Sequence, residues 1–143
     1  MSKQVVLISH GKLSAGVADA VAMVFGKNEE LSYLGLAPDG NVVELIGGLR
    51  DRVAASPNDQ FIVIADIFGG SVCNQSLQQL SEFDNVVLLS GLSMGLVLSI
   101  LAMPGELSQA QIDQAVADAQ AGTKVVELIK ADVPVDNGED DFF

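Results

Sequence analysis

Val5-Val6-Leu7-Ile8, closed by Ser9-His10-Gly11, is the stretch on which the fold turns. Four consecutive apolar residues without polar alternation read as a short strand covered on both faces, the pattern of a parallel sheet held between helices. The strand ends at His10, the only histidine in the chain. Beyond it, Ser14 is placed to cap a helix whose apolar positions Val17, Val21, Val24 and Phe25 share one face, with Gly26 suited to the left-handed position at its end. The unit is strand, loop, helix.

The same unit recurs along the chain. Tyr33 to Ala37 reads as a second strand, Pro38-Asp39-Gly40 as its turn, and Asn41 with Glu44 as a capping pair for a helix carrying Val42, Leu45, Leu49 and Val53 before Pro57. Phe61 to Ala65 is a third buried strand ending at Asp66, and Gly69-Gly70-Ser71 leads into a helix with Cys73, Leu77 and Leu80 on one side. Asn85 to Leu89 and Met94 to Met103 make the fourth repetition. Ser108 with Gln111 resembles a capping box for a helix with Ile112, Ala115, Val116 and Ala119, reaching about Ala121. Val125 to Ile129 fits either a fifth strand or a continuation of that helix, since both periods match.

Alternating strands and helices joined by short loops imply a doubly wound α/β domain: a mainly parallel sheet of four strands with helices on both faces and right-handed crossovers. Ligands in such sheets bind outside the carboxyl ends of the strands, where strand order reverses. That rule gathers Ser9, His10 and Gly11, the Pro38 turn, Asp66 with Gly69, Gly70 and Ser71, and Ser90 to Ser93 on one rim. The expected domain spans residues 1–131, and residues 132–143 read as an acidic tail, because clustered like charges repel and leave nothing to bury.

Bulk composition narrows the function. With 143 residues, 49% hydrophobic and 18% charged, the chain has the size and make-up of one ordered domain. A formal charge of −12 with only 7 basic residues argues against nucleic acid and acidic membrane surfaces, which need clustered Lys and Arg. Five basic and eight acidic residues lie in 1–75, against two and eleven in 76–143, so an anion site belongs to the first half. Val86 to Met103 carries no charge over 18 residues, yet Ser90-Gly91 and Ser93-Met94-Gly95 divide it, and it reads as a buried strand, a turn and a buried helix rather than a membrane span. A lone Cys73 and no secretory leader point to the cytoplasm. Cys73 itself reads as a small buried hydrophobe, and Met94 and Met103 as core filler. One His and one Cys cannot supply an ordinary zinc site, and the tail lacks the spacing of a calcium loop.

The rim chemistry points to phosphate. An imidazole has two distinct nitrogens, and a carboxylate that accepts the proton of one leaves the other as an oriented nucleophile. Asp66 supplies that carboxylate if the first and third strands are neighbours. Gly69-Gly70 permits close approach of the backbone to an anion, while Ser71 and the first amides of its helix add donors backed by the helix dipole. Neither Gly-x-x-x-x-Gly-Lys-Ser/Thr nor Gly-x-Gly-x-x-Gly is present, and Lys12 is the only cation nearby in sequence, so a single phosphoryl group fits better than a nucleotide. Neither metal nor cofactor is called for.

Ile8-Ser9-His10-Gly11 after the first strand, Pro38-Asp39-Gly40-Asn41 after the second, and Ala65-Asp66-Ile67-Phe68-Gly69-Gly70-Ser71 after the third resemble, in order and spacing, the IIA components of mannose-type sugar phosphotransferase systems. The resemblance runs from about residue 4 to about residue 130. It implies that His10 accepts a phosphoryl group from the histidine-containing phosphocarrier protein and passes it to a IIB component, which serves membrane IIC and IID subunits in sugar uptake. It further implies that Asp66 bonds to the imidazole, that Ser71 and neighbouring amides lie near the phosphoryl group, and that the protein is a homodimer exchanging a C-terminal strand, which favours strand for Val125 to Ile129. With the chain ending at Phe143 the acceptor is expected on another polypeptide.

Three other readings stand beside it. Subunits that phosphorylate a dihydroxyacetone kinase share the fold, but Gly69-Gly70-Ser71 followed by Asn74 looks more like the sugar-transport branch. A receiver module would be phosphorylated on Asp66, but its acidic residues at the first strand end are replaced here by Ser9-His10. A hydrolase using Ser71, His10 and Asp66 lacks the Gly-x-Ser-x-Gly elbow, and Ser71 reads more naturally as a helix cap.

Overall fold

Alternate residues of the first strand, β1 (Lys3–His10), feed two separate cores. Val5 and Leu7 point into one, Val6 and Ile8 into the other, and all four are fully buried. Each such side chain contributes roughly 1.5–3 kcal/mol of burial free energy. The computed structural model describes residues 2–129. After β1 come α1 (Leu13–Phe25), β2 (Leu31–Leu36), α2 (Val42–Ala55), β3 (Gln60–Ala65), α3 (Ser71–Leu80), β4 (Val86–Ser90), α4 (Met94–Ala102) and α5 (Gln109–Ala121).

The four strands are all parallel, in the order β2-β1-β3-β4. α1, α4 and α5 cover one face through Val21, Leu96, Val97, Ile100 and Ile112, while α2 and α3 cover the other through Ile46, Leu49, Val53, Val72 and Leu80. The doubly wound sheet is therefore present. Because the chain moves outward from β1 to β2 and then returns to place β3 on the other side, strand order reverses between β1 and β3, and that is where a crevice opens.

Several local expectations are corrected. Ser14 does not cap α1: the N-cap is Lys12, and the fully buried Ser14 lends its hydroxyl to the Leu34 carbonyl at 2.9 Å. Ser9 does the capping instead, from the end of β1, its Oγ accepting the Ser14 N–H at 2.8 Å. Val24 and Phe25 are exposed rather than part of the apolar face, and so is Leu77, whose expected place in the core of α3 is taken by Val72 and Ser76. The α2 cap is as read, Asn41 Oδ1 accepting from Val43 and Glu44, and Ser108 with Gln111 forms the full capping box of α5. Val125 to Ile129 is neither strand nor helix in the single chain. Residues 132–143, the expected tail, lie outside the described residues.

Two polar brackets seat the α4–α5 connection under the amino ends of the strands. The buried Lys3 ammonium donates to the Met103 carbonyl at 2.7 Å and pairs with Glu30 at 3.4 Å, which satisfies a charge that burial would otherwise make costly. Gln60 bonds both the N–H and the carbonyl of Leu107 at 2.8 Å, as a neighbouring strand would.

Candidate active site

Parallel register sets Ile8 of β1 opposite Ala65 of β3, so His10, two residues past Ile8, and Asp66, one past Ala65, emerge side by side from the strand ends. Asp66 Oδ2 accepts twice from His10, from the backbone N–H at 2.8 Å and from imidazole Nδ1 at 2.6 Å, while Oδ1 takes the Ile67 N–H at 2.9 Å. Burial works against ionisation of this carboxyl. The bonds from the His10 N–H, the imidazole and the Ile67 N–H outweigh it and hold the group below the ordinary carboxylate range. A carboxylate held charged in this way stabilises the Nδ1–H tautomer and leaves the lone pair on Nε2.

Nε2 faces Ser71 Oγ at 3.1 Å. Ser71 is thus the first residue of α3 rather than its cap, a place taken by Gly70, and its hydroxyl is turned to the imidazole. The side-chain accessibilities differ sharply, 51% for His10 against 8% for Asp66, so the imidazole is presented outward and its carboxylate partner is held inside.

The turn after β1 is clamped from β2. Gly11 takes φ +54°, a left-handed conformation that favours glycine, and its N–H donates to the Leu36 carbonyl at 2.7 Å. Its carbonyl lies over Gly35, where a Cβ would stand only 2.3 Å away. Gly35 is a residue the sequence reading passed over, and the available signal was a glycine inside a strand run, which marks close backbone approach. On the other side, Gly69 takes φ +81° and the Gly70 N–H is spent on the Ile67 carbonyl at 3.2 Å. A Cβ on Gly70 would meet Ile67 Cγ2 at 2.7 Å and stand in ordinary contact, 3.5 Å, with His10 Cε1, so the glycine lets the turn pack closely on Ile67 beside the imidazole. The N–H groups of Ser71, Val72 and Cys73 open α3 without intrahelical partners, because the first helical bond runs from Asn74 to Gly70.

Not every rim residue joins this cluster. Ser93 caps α4, accepting from the Leu96 N–H at 3.2 Å, and lines a cleft of about 280 Å3 between α4 and α5 together with Leu98 and Asp118. Pro38 stands two residues past Leu36, in the turn beside the Gly11 clamp. Cys73 is buried, as expected of a packing residue. Among the described residues no helix is long and apolar enough to cross a membrane, and Val86 to Met103 resolves into β4, a turn and α4.

Residues 4–120 match the family model of mannose-type EIIA domains, described as the PTS system fructose IIA component. The chain belongs to this family. As a IIA component of a sugar phosphotransferase system it is similar to the sorbose-specific EIIA component of Klebsiella pneumoniae, with 25% identity over 96 residues covering 67% of this chain and 70% of the relative. Solved structures share its fold, among them two IIA proteins. The mannose/sorbose-specific IIA subunit from Enterococcus faecalis superposes with a TM-score of 0.81 at 17% identity, covering 91% of this chain and 98% of that one. The PTS IIA protein associated with the fucose utilization operon of Streptococcus pneumoniae gives 0.77 at 22% identity, covering 87% and 93%. The IIA fold and the parallel four-stranded sheet expected from the sequence are therefore those of this family.

Proposed function

We propose that this IIA component carries a phosphoryl group on His10 Nε2, taking it from the histidine-containing phosphocarrier protein and handing it to a IIB component. One observation carries the reading: an exposed imidazole whose inner nitrogen is bound to a charged, buried carboxylate and whose outer nitrogen faces a serine hydroxyl at the opening of a helix. In the forward step the Nε2 lone pair attacks the phosphorus of the donor's phosphohistidine. An N–P bond forms to His10, the donor's N–P bond breaks, and its electron pair returns to the donor imidazole. Asp66 keeps the Nδ1 proton in place and balances the positive charge the phosphorylated ring acquires. Ser71 releases Nε2 and turns its hydroxyl to a phosphoryl oxygen, joined by the free amides of α3. Transfer to the IIB histidine is the same step reversed.

The site's shape supports a protein partner. His10 lies on an open surface, with Phe68, 85% exposed, two residues beyond Asp66. The clefts of about 280 and 420 Å3 between α4 and α5 do not include it. Small-molecule sites are enclosed, whereas docked proteins must bring two side chains together at a surface. Asp66 is a poor acceptor for the receiver reading, with its carboxylate inward and engaged by three N–H groups. The Ser71–His10–Asp66 chain of hydrogen bonds does match a hydrolase triad, so the test must separate the two.

Incubation with a phosphoenolpyruvate-driven relay should add one phosphoryl group by intact mass, stable to base and labile to acid, and His10→Ala should take up none. Label persisting in His10→Ala removes the assignment to His10. Acid-stable, hydroxylamine-sensitive label lost in Asp66→Asn points to the receiver chemistry instead. We also propose that residues 1–131 fold as the transfer domain and that Val125 to Ile129 becomes a strand in a homodimer by pairing with a second chain.

A further inference from the structure

The phosphoryl-accepting side of His10 is built on two glycines in succession, and a Gly-Gly peptide is the most easily flipped unit in a chain. A reorientation of this turn would move the opening of α3, Ser71 included, relative to the imidazole. Something must hold it. Asn74, in the first turns of α3, makes two bonds back across the helix opening. Its side-chain Nδ2 donates to the Gly69 carbonyl at 3.0 Å, and its backbone N–H donates to the Gly70 carbonyl at 2.8 Å.

With the Gly70 N–H also bonded to the Ile67 carbonyl, the Gly69–Gly70 peptide plane is pinned at both ends, by Asn74 at the oxygen and by Ile67 at the nitrogen. The next plane follows from geometry. In a planar trans peptide the C=O and N–H point opposite ways, so tying the Gly70 oxygen into α3 turns the Ser71 N–H outward from the helix opening. The Cα of Gly70 also borders the imidazole, since a Cβ there would come within 3.5 Å of His10 Cε1. Any drift of this loop is felt at His10 as well as at the anion.

The geometry points to Asn74 as a positioning residue for phosphoryl transfer, its side-chain amide holding the Gly69 carbonyl and with it the turn that sets the opening of α3, Ser71 included, against His10. This rests on the reading of His10 as the acceptor. No other residue is hydrogen-bonded to the Gly69 carbonyl among the described residues. An exposed helical asparagine is an ordinary surface residue by composition, and without that bond it would carry no such meaning.

The test compares the full chain with Asn74→Ala and the isosteric Asn74→Asp in the relay assay, with His10→Ala alongside. Loss of one neutral hydrogen bond at the transition state is expected to lower the transfer rate of Asn74→Ala about three- to tenfold without changing the KM for the donor protein. Asn74→Asp is expected to be slower still, because it loses the donor and brings a negative charge beside the phosphoryl group. A role in stability alone would move the melting temperature and nothing else. The distinguishing readout is therefore the amide 15N–1H resonance of Ser71, whose shift on phosphorylation should shrink in both variants. Equal rates in wild type, Asn74→Ala and Asn74→Asp, with an unchanged Ser71 shift, overturn the assignment of Asn74. Label on His10→Ala overturns the acceptor reading instead, so the two failures are separable.

Discussion

Asp66 orients the imidazole, anchors the backbone of the residue that carries it and stays charged in a largely buried place. Asp66→Asn is expected to fold, yet to slow phosphoryl transfer by about a hundredfold, because the tautomer and the charged ring both lose their support; single-turnover transfer measures it. The same carboxylate links stability to pH. Its folded-state pKa lies below the ordinary value, so its contribution is complete above that value and is lost as pH falls through the depressed one. The difference in melting temperature between wild type and Asp66→Asn should accordingly be largest near neutral pH and close below about pH 4. A difference that stays constant on acidification would mean the carboxylate charge contributes nothing. Ser71→Ala separates the carrier from the hydrolase: as a carrier it keeps its label and transfers about tenfold more slowly, whereas a Ser71 nucleophile would lose all reaction. His10, Asp66 and Ser71 were legible as residue types at strand and helix ends. Gly35 left only the signal of a glycine inside a strand run, and the bond from Asn74 to the Gly69 carbonyl follows no spacing rule.

At the scale of elements, the β1–α1 turn is shaped by β2 as much as by its own sequence. Ser9 caps α1 from the strand, Ser14 ties α1 to Leu34, and the Gly11 carbonyl occupies the space that any side chain at Gly35 would need. Gly35→Ala should therefore cost about 1–3 kcal/mol in chemical denaturation, as overpacking against backbone does, and should displace the His10 resonances. An unperturbed stability would show that the turn yields freely. Periodicity located every helix and strand of the described chain because each buries a face. It erred at Ser14, Val24, Phe25 and Leu77, where residue type suited one role and the packing partner assigned another.

Across the whole molecule, both edges of the sheet are open among the described residues: β2 and β4 each have one neighbouring strand there. Val125 and Leu128, 95% and 88% exposed, follow α5 in an apolar segment that no described residue covers. If that segment pairs with a second chain as proposed, light scattering should report two chains for the wild type and one for the Val126→Asp, Leu128→Asp double variant. A wild-type monomer would end that proposal. By itself the sequence determined the alternation of strands and helices, the two-sided burial of the sheet and the set of polar residues at its carboxyl rim, because hydrophobic periodicity and turn chemistry are local properties written along the chain. Which of those rim residues touch was decided only by the tertiary structure. The contact of His10 with Asp66 depends on β1 lying next to β3, and that of His10 with Ser71 on where α3 sits over the strand ends, which are consequences of packing that no local pattern encodes.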